Sequence, residues 1–194
     1  LFEKYGADKC PAYRHSYSMT YDRLLTSERT KFQNVLEIGI GTSALMQRYM
    51  TPGLKYEPGA SLRAWRDYFP SANVYGVDIE KDVLFNEERL NCFYTDQSDE
   101  QQLHQTISDI RTFAKDKKLT FDMILDDGSH IYDHMLLSMK TLDKYVTKGG
   151  YYIIEDVRDE QIQGLEQAMP ETFEHVYTYT GNDDWDNYIV FRKI

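Results

Sequence analysis

The chain has 194 residues, which is enough for one compact domain with a sizeable hydrophobic core. Its formal net charge of -10 argues against binding to a nucleic-acid backbone, which needs a surface rich in lysine and arginine. Its two cysteines, Cys10 and Cys92, lie far apart without metal-binding spacing, so we expect free thiols in a reducing compartment, the cytoplasm.

The first elements alternate between strand and helix. Residues 1–30 are rich in tyrosine and form an N-terminal arm that we expect over the active site, with the main domain at residues 31–194. The apolar run Asn34–Ile38 predicts a strand, and apolar residues at helical spacing predict a helix at Ser61–Phe69. A loop rich in proline and glycine separates them at Thr51–Gly59.

The alternation continues to the C-terminal part of the chain. Strands are predicted at Asn73–Val77, Asn91–Tyr94, 121–126 and 151–155, and helices at Gln101–Lys117 and about 131–145. Gly149-Gly150 is predicted to end the last of these helices. A hairpin is predicted from Glu174–Tyr179 and Tyr188–Arg192, joined at residues 181–184.

This order of elements predicts an α/β fold. Alternating strands and helices form a mostly parallel sheet with helices on both faces, and the hairpin adds an antiparallel edge. No apolar stretch approaches the roughly 20 residues that cross a membrane, and no signal peptide is visible. Because the chain begins at Leu1 rather than methionine, we expect one domain of a longer protein. A homo-oligomer is compatible with the sequence.

The segment after the first strand has the features of a nucleotide-binding turn. Gly39 and Gly41 would let a ligand approach the backbone closely, and Glu37 precedes them. Asp78, at the tip of the next strand, could bind both hydroxyls of a ribose or cap a helix. Ser61 could lie near the amino-acid part of such a cofactor.

Two further acids follow predicted strands. Asp96 could face an adenine amine, or it could cap the helix that begins near Asp99. Asp126 should point to the opposite side of its strand from Asp127 and thus towards the cofactor, because side chains alternate along a strand.

Two apolar runs end in carboxylates, which predicts a metal site. Asp127, Glu155 and Asp156 should meet at the carboxyl edge of the sheet, and hard oxygen ligands suit Mg²⁺. The alternative is that they are helix-capping and solvated loop acids. His130 follows Asp127 closely and becomes a candidate general base beside the ion, although a lone histidine at a helix start is more often a surface residue.

Several segments together resemble class I S-adenosylmethionine-dependent methyltransferases and, within them, the macrocin O-methyltransferase-like group. These segments are VLEIGIG (35–41), PGASLRAWRDYFP (58–70), VYGVDI (74–79), FDMILDDGSH (121–130) and GGYYIIEDV (149–157). YGADK (5–9), with His15 and Tyr17 after it, fits the group's N-terminal arm. Residues after 160 match poorly.

The resemblance implies a Rossmann-like fold with a mostly parallel, seven-stranded sheet. It implies Mg²⁺-dependent transfer of a methyl group from S-adenosylmethionine to a hydroxyl of a sugar, such as rhamnose in a glycoside or glycan. By position, the metal ligands would be Asp127, Glu155 and Asp156, with His130 and Asp127 at the catalytic centre. The matching cofactor contacts are Glu37, Gly39, Asp78 and Asp126.

Other functions remain open at this point. Vicinal hydroxyls of a catechol-like phenol would chelate the same ion. An NAD-binding oxidoreductase would also use a glycine turn and a ribose-binding acid, but it explains the three carboxylates poorly. A non-catalytic fold serving as a partner surface has no need of His130 and the acids.

Overall fold

A single sheet of eight strands runs through the computed structural model, which describes residues 1–49, 56–181 and 184–194. The strand order is β3-β4-β2-β1-β5-β6-β8-β7. The strands are β1 (Asn34–Ile38), β2 (Asn73–Asp78), β3 (Asn86–Glu87), β4 (Leu90–Tyr94), β5 (Phe121–Asp126), β6 (Val146–Val157), β7 (Phe173–Tyr179) and β8 (Asn187–Lys193).

Five central strands are parallel, and the sheet becomes antiparallel towards both edges. The strands β4, β2, β1, β5 and β6 pair in parallel, whereas β8 and β7 form the C-terminal antiparallel hairpin. The predicted α/β fold class is therefore confirmed. The eighth strand, β3, pairs antiparallel with β4. Because β3 has only two residues, it is too short to give a sequence pattern.

Seven helices accompany the sheet in the described ranges. They are α1 (Phe2–Tyr5), α2 (Tyr17–Leu25), α3 (Ser43–Tyr49), α4 (Ala60–Tyr68), α5 (Glu100–Ala114), α6 (Tyr132–Leu142) and α7 (Asp159–Ala168). The predicted helices correspond to α4, α5 and α6. The other four were not predicted. Helices α1 and α3 are too short for an apolar stripe, α7 buries only Leu165 fully, and α2 was missed although it buries three residues at helical spacing.

The core has two halves, one on each face of the sheet. Alternate residues of β1 divide between them: Val35 packs with α2 and α4, and Leu36 packs with α5 and α6. Trp65 of α4 and Tyr21 of α2 are both about 1% exposed, with ring centroids 5.3 Å apart. The N-terminal helices therefore share a core with the sheet.

The expectation that Gly149-Gly150 ends a helix is wrong. Helix α6 stops at Leu142, a 3₁₀ turn spans Asp143–Tyr145, and both glycines lie inside β6. Phe121 pairs with Val146 while Met123 pairs with Tyr151, so β6 bulges at the glycines. Gly149 has a φ of 83°, which the bulge requires.

Two predicted turns are only partly described. Residues 51–55 of the predicted loop Thr51–Gly59, and residues 182–183 of the predicted hairpin turn, lie outside the described ranges. Helix α3 occupies the start of the segment between β1 and α4, ahead of the predicted loop.

Candidate active site

A glycine turn follows β1 and closes against β2. Gly39 and Gly41 have φ angles of 95° and 80°, in the left-handed region that favours glycine. A side chain on Gly39 would overlap the backbone oxygen of Asp127, so the turn lies directly against the end of β5. Asp78 accepts hydrogen bonds from the backbone N–H of Ile40 (2.7 Å) and Gly41 (3.4 Å). Asp78, the residue predicted to bind the ribose, therefore also holds the glycine turn in place.

Glu37 is a fully buried carboxylate near the end of β1. It is 0% exposed, and among the described residues neither of its oxygens has a hydrogen-bond partner. Burial raises the pKa of Glu37 to about 7, and the Lys9 ammonium, 3.6 Å away, moderates the rise. Ser61, at the start of α4, is buried nearby. A buried acid left unsatisfied in this way fits the ammonium group of a ligand.

Asp96 does not cap the following helix. Its Oδ1 accepts hydrogen bonds from the backbone N–H (2.9 Å) and the hydroxyl (2.6 Å) of Ser98. The cap of α5 is Asp99, whose side chain accepts from the backbone N–H of Gln101 and Gln102. The helix-capping role considered for Asp96 thus belongs to Asp99. The contact of Asp96 with adenine stays a prediction.

Asp126 is enclosed by Gln97, a residue whose role no sequence pattern indicated. The Gln97 amide nitrogen lies 2.7 Å from both carboxylate oxygens of Asp126, which is 1% exposed. Burial raises the pKa of Asp126 to about 7. Gln97 also accepts a hydrogen bond from the backbone N–H of Ser129 (2.9 Å). It therefore links the segment after β4 to the loop after β5.

Asp127, His130 and Asp156 converge at the carboxyl edge of the sheet. One potential ligand atom from each lies within 4.8 Å of the others, a spacing that one metal ion could bridge. His130 and Asp156 have φ angles of 56° and 51°, left-handed values that few residues other than glycine adopt. Among the described residues, the buried His130 Nδ1 has no hydrogen-bond partner. Two carboxylates and an unpartnered imidazole nitrogen fit a divalent cation.

A bulge in β6 explains why Glu155 and Asp156 face the same helix. Neighbouring strand residues normally point to opposite faces, but the pairing of β6 with β8 shifts by one residue between Ile154 and Val157. Tyr21 donates a hydrogen bond to Glu155, and Tyr17 donates one to Asp156 at 2.7 Å. The two tyrosines are one turn apart on α2 and reach two consecutive acids.

Glu155, the third predicted metal ligand, faces Lys9. The Lys9 ammonium bonds both Asp127 and Glu155, and Lys9 is only 1% exposed. Burial opposes the charge on Lys9, but the surrounding carboxylates, Asp127 foremost, raise its pKa well above the ordinary value. Glu155 is outside the group of converging ligand atoms formed by Asp127, His130 and Asp156. Its role as a metal ligand stays a prediction.

His15 extends the site towards the C-terminal hairpin. Its Nε2 lies 3.6 Å from Asp156 Oδ1, and its Nδ1 lies 2.6 Å from Asp186 Oδ1. The His15 ring stacks on Tyr17 with centroids 4.5 Å apart. The contacts of Lys9 and Tyr21 with the acids, and of His15 with Asp186, were not anticipated. In the sequence, the run YGADK and the aromatic N-terminal arm indicated that Lys9, His15 and Tyr21 lie near the active site. They did not indicate which side chains contact one another.

The charge of this region defines the chemistry that it can support. Three carboxylates, those of Glu37, Asp127 and Glu155, lie around the buried ammonium of Lys9, and Asp8 and Asp156 add negative charge beside them. Buried charges need partners, and here the negative charge is in excess. The site is therefore suited to a divalent cation together with a cationic ligand.

No helix in the described ranges is long and apolar enough to cross a membrane.

Comparison with curated proteins finds O-methyltransferases. The chain is 33% identical over 147 residues to mycinamicin VI 2''-O-methyltransferase of Micromonospora griseorubida, covering 75% of this chain and 32% of that protein. It is 34% identical over 143 residues to demethylmacrocin O-methyltransferase of Streptomyces fradiae, covering 74% of this chain and 32% of that protein. The chain thus spans about a third of the length of these relatives. No family profile matches it.

Comparison with solved structures gives the same result. The MycE methyltransferase from the mycinamycin biosynthetic pathway, solved in complex with Mg, SAH and mycinamycin VI, superposes with a TM-score of 0.70 at 26% identity. The match covers 98% of this chain and 52% of that chain. The arrangement of strands and helices is therefore that of class I, Rossmann-like methyltransferases.

Proposed function

Because this chain belongs to the class I methyltransferases and is homologous to their macrocin-type sugar O-methyltransferases, we propose that it methylates a sugar hydroxyl in a Mg²⁺-dependent reaction. The observation that carries the proposal is the convergence of Asp127, His130 and Asp156 at the carboxyl edge of the sheet. The acceptor would be a sugar on a small molecule or glycan, and a deoxysugar such as rhamnose is one candidate.

The cofactor would lie across the glycine turn. S-adenosylmethionine, when bound, supplies a methyl group on a sulfonium, which is already a strong electrophile. Glu37, buried and without a hydrogen-bond partner in the part of the chain that the structure describes, would hold the amino group of its methionine part, with Ser61 beside it. Gly39 and Gly41 would let the ligand approach the backbone, and Asp78 would bind the ribose. Asp96 and Asp126 would border the adenine, and Asp126 would do so together with Gln97, to which it is hydrogen-bonded.

The chain's own residues would position the acceptor and take its proton. Mg²⁺, when bound, lowers the pKa of a coordinated hydroxyl and orients it. Asp127 and Asp156 would hold the ion, and Glu155 would join them where it leaves Lys9. His130 lies beside these acids and would accept the hydroxyl proton. Positioning of the two reactants would supply a large share of the rate gain.

The metal dependence is tested by removing the ion. We expect transfer from labelled S-adenosylmethionine to rhamnosyl and other deoxysugar glycosides to stop in EDTA and to return with Mg²⁺. Asp156→Asn should impair this rescue, because an amide binds a hard cation less well than a carboxylate. Asp67→Asn is the matched control, since Asp67 pairs with Lys4 and Arg66 away from the acids. Full turnover in the presence of chelator would remove Mg²⁺ from the mechanism.

Two rival acceptors are separated by the same assay. Catechol-like phenols in place of the glycosides test the phenol alternative, and the homologues favour the sugar. Calorimetry that compares the binding of S-adenosylhomocysteine (SAH) with the binding of NAD tests the oxidoreductase alternative. Location in the cytoplasm, a homo-oligomer, and membership of a longer chain remain predictions.

A further inference from the structure

Lys9 is a buried cation that the proposed reaction has not used. Its ammonium bonds Asp127 and Glu155 and lies 3.6 Å from Glu37, while the whole residue is 1% exposed. Burial of a charge is costly without close partners. Three carboxylates from β1, the end of β5 and β6 therefore converge on one side chain of the N-terminal arm.

The ammonium shares its partners with the proposed metal site. Asp127 belongs both to the Lys9 ion pairs and to the converging group with His130 and Asp156. A divalent ion bound to Asp127 and Glu155 would lie within a few ångströms of the ammonium, and like charges repel strongly at that separation. Lys9 and the ion cannot both hold the two carboxylates in the arrangement described here.

Glu37 offers the displaced ammonium a second partner through Oε1, the oxygen 3.6 Å from Lys9, which leaves Oε2 for the amino group of the cofactor. It is fully buried, has no hydrogen-bond partner among the described residues, and is the carboxylate farthest from Lys9 of the three. A small movement of the lysine towards Glu37 would free Asp127 and Glu155 without exposing the ammonium to water.

We propose that Lys9 is a positioning residue that acts as an internal placeholder cation. Without a divalent ion its ammonium holds Asp127 and Glu155 together, and the ion binds by displacing it from these carboxylates towards Glu37. This inference rests on the proposed metal dependence. It makes the N-terminal arm a competitor for the metal ligands, and it keeps the acids in place before the ion arrives.

Direct metal titration tests the proposal without turnover. Mn²⁺ binding to the chelator-stripped protein, with saturating SAH, is followed by the electron paramagnetic resonance of free Mn²⁺. Lys9→Met removes the placeholder and should tighten Mn²⁺ binding by about tenfold or more, since the ion no longer has to displace a competitor. Lys4→Met is the matched control, because Lys4 lies in the same arm but is exposed and pairs with Asp67. It should leave Mn²⁺ affinity unchanged.

The outcomes separate the two proposals. Equal or weaker Mn²⁺ binding by Lys9→Met overturns the placeholder role while the metal dependence stands. An absence of Mn²⁺ binding in both wild type and variant overturns the metal dependence, and the placeholder role with it.

A second measurement uses the wild type and does not depend on the variant's folding. In protein labelled with ¹⁵N-lysine, the buried Lys9 ammonium should give a protected NMR signal that shifts when Mg²⁺ is added. A signal that Mg²⁺ leaves unchanged, while Mg²⁺ binds, overturns the proposal.

Discussion

His130 is the side chain on which the proposed proton transfer depends. His130→Ala should lower kcat by roughly 10²–10⁴, the usual contribution of a positioned base. Calorimetry should show nearly unchanged SAH affinity, because His130 lies with the acids and not at the glycine turn. His134→Ala is the control: this imidazole lies one turn along and bonds Ser129 Oγ at 2.9 Å. If both variants, or neither, lose the rate, His130 is not the base.

Asp126 should make the stability of the protein depend on pH. Burial raises the pKa of Asp126 to about 7 from an ordinary 3.8, so the folded state binds this proton more tightly than the unfolded state. Its favourable contribution is complete below the ordinary pKa and is lost as pH rises through about 7. At about 1.4 kcal/mol per pKa unit, the loss is of the order of a few kcal/mol.

The Asp126→Asn variant isolates this effect. Its amide is neutral throughout and can still accept a hydrogen bond from Gln97. Between about pH 4 and about pH 8, the melting temperature of the variant should fall less than that of the wild type. Parallel melting curves for the two proteins would show that Asp126 is ionised at little cost.

Single residues show where sequence reasoning stopped. The acids at the strand ends were predictable, because an apolar run that ends in carboxylates marks the carboxyl edge of a parallel sheet. The contacts of Lys9 with Asp127 and Glu155 were not, since they join positions 118 and 146 residues apart in the chain. No local pattern encodes such pairs.

At the scale of elements, the glycine turn after β1 can be tested against a second glycine of similar conformation. Gly39 and Gly149 have φ angles of 95° and 83°, so alanine strains the backbone at both. A side chain at position 39 would overlap the Asp127 backbone, whereas at position 149 the nearest atom is 3.9 Å away. Gly39→Ala should therefore weaken SAH binding and lower the melting temperature more than Gly149→Ala. Equal effects would mean that only backbone strain matters.

The same glycines show how local patterns mislead. Gly149-Gly150 after an amphipathic helix is typical of a C-cap, yet here a bulge in β6 uses both residues. Strand β1 was predicted with its observed bounds because its apolar run is short and bounded on both sides. Helix α2 was missed, although Tyr17, Tyr21 and Leu25 repeat at helical spacing and are buried.

At the scale of the whole molecule, the C-terminal hairpin is part of the core. Strand β8 contributes Val190 to one half of the core and Phe191 to the other. Phe191→Ala should destabilise the protein by about 3–5 kcal/mol, as for other buried aromatic residues. Val176→Ala, on the exposed face of β7, should change stability by less than about 0.5 kcal/mol. Urea denaturation measures both, and similar values would contradict the assignment of β8 to the core.

The overall architecture was predictable and the arm's integration was not. Alternating strands and helices indicate a parallel sheet from the order of the elements alone, without knowledge of individual side-chain contacts. Whether residues 1–30 lie apart from the domain or within its core depends on tertiary contacts such as Phe2 with Trp65, at 4.9 Å between centroids. The division into an arm and a domain remains a prediction.

The left-handed backbone at His130 and Asp156 has a consequence for anyone who engineers this chain. Such a conformation costs a residue with a side chain roughly 1–2 kcal/mol, and glycine avoids that cost. A variant library selected only for heat resistance should therefore accumulate glycine or asparagine at position 130, whereas glycine at position 156 would leave the buried Tyr17 hydroxyl without its acceptor. The gain at position 130 would remove the proposed base from the catalytic centre, so the most heat-resistant descendants of this chain would be inactive ones.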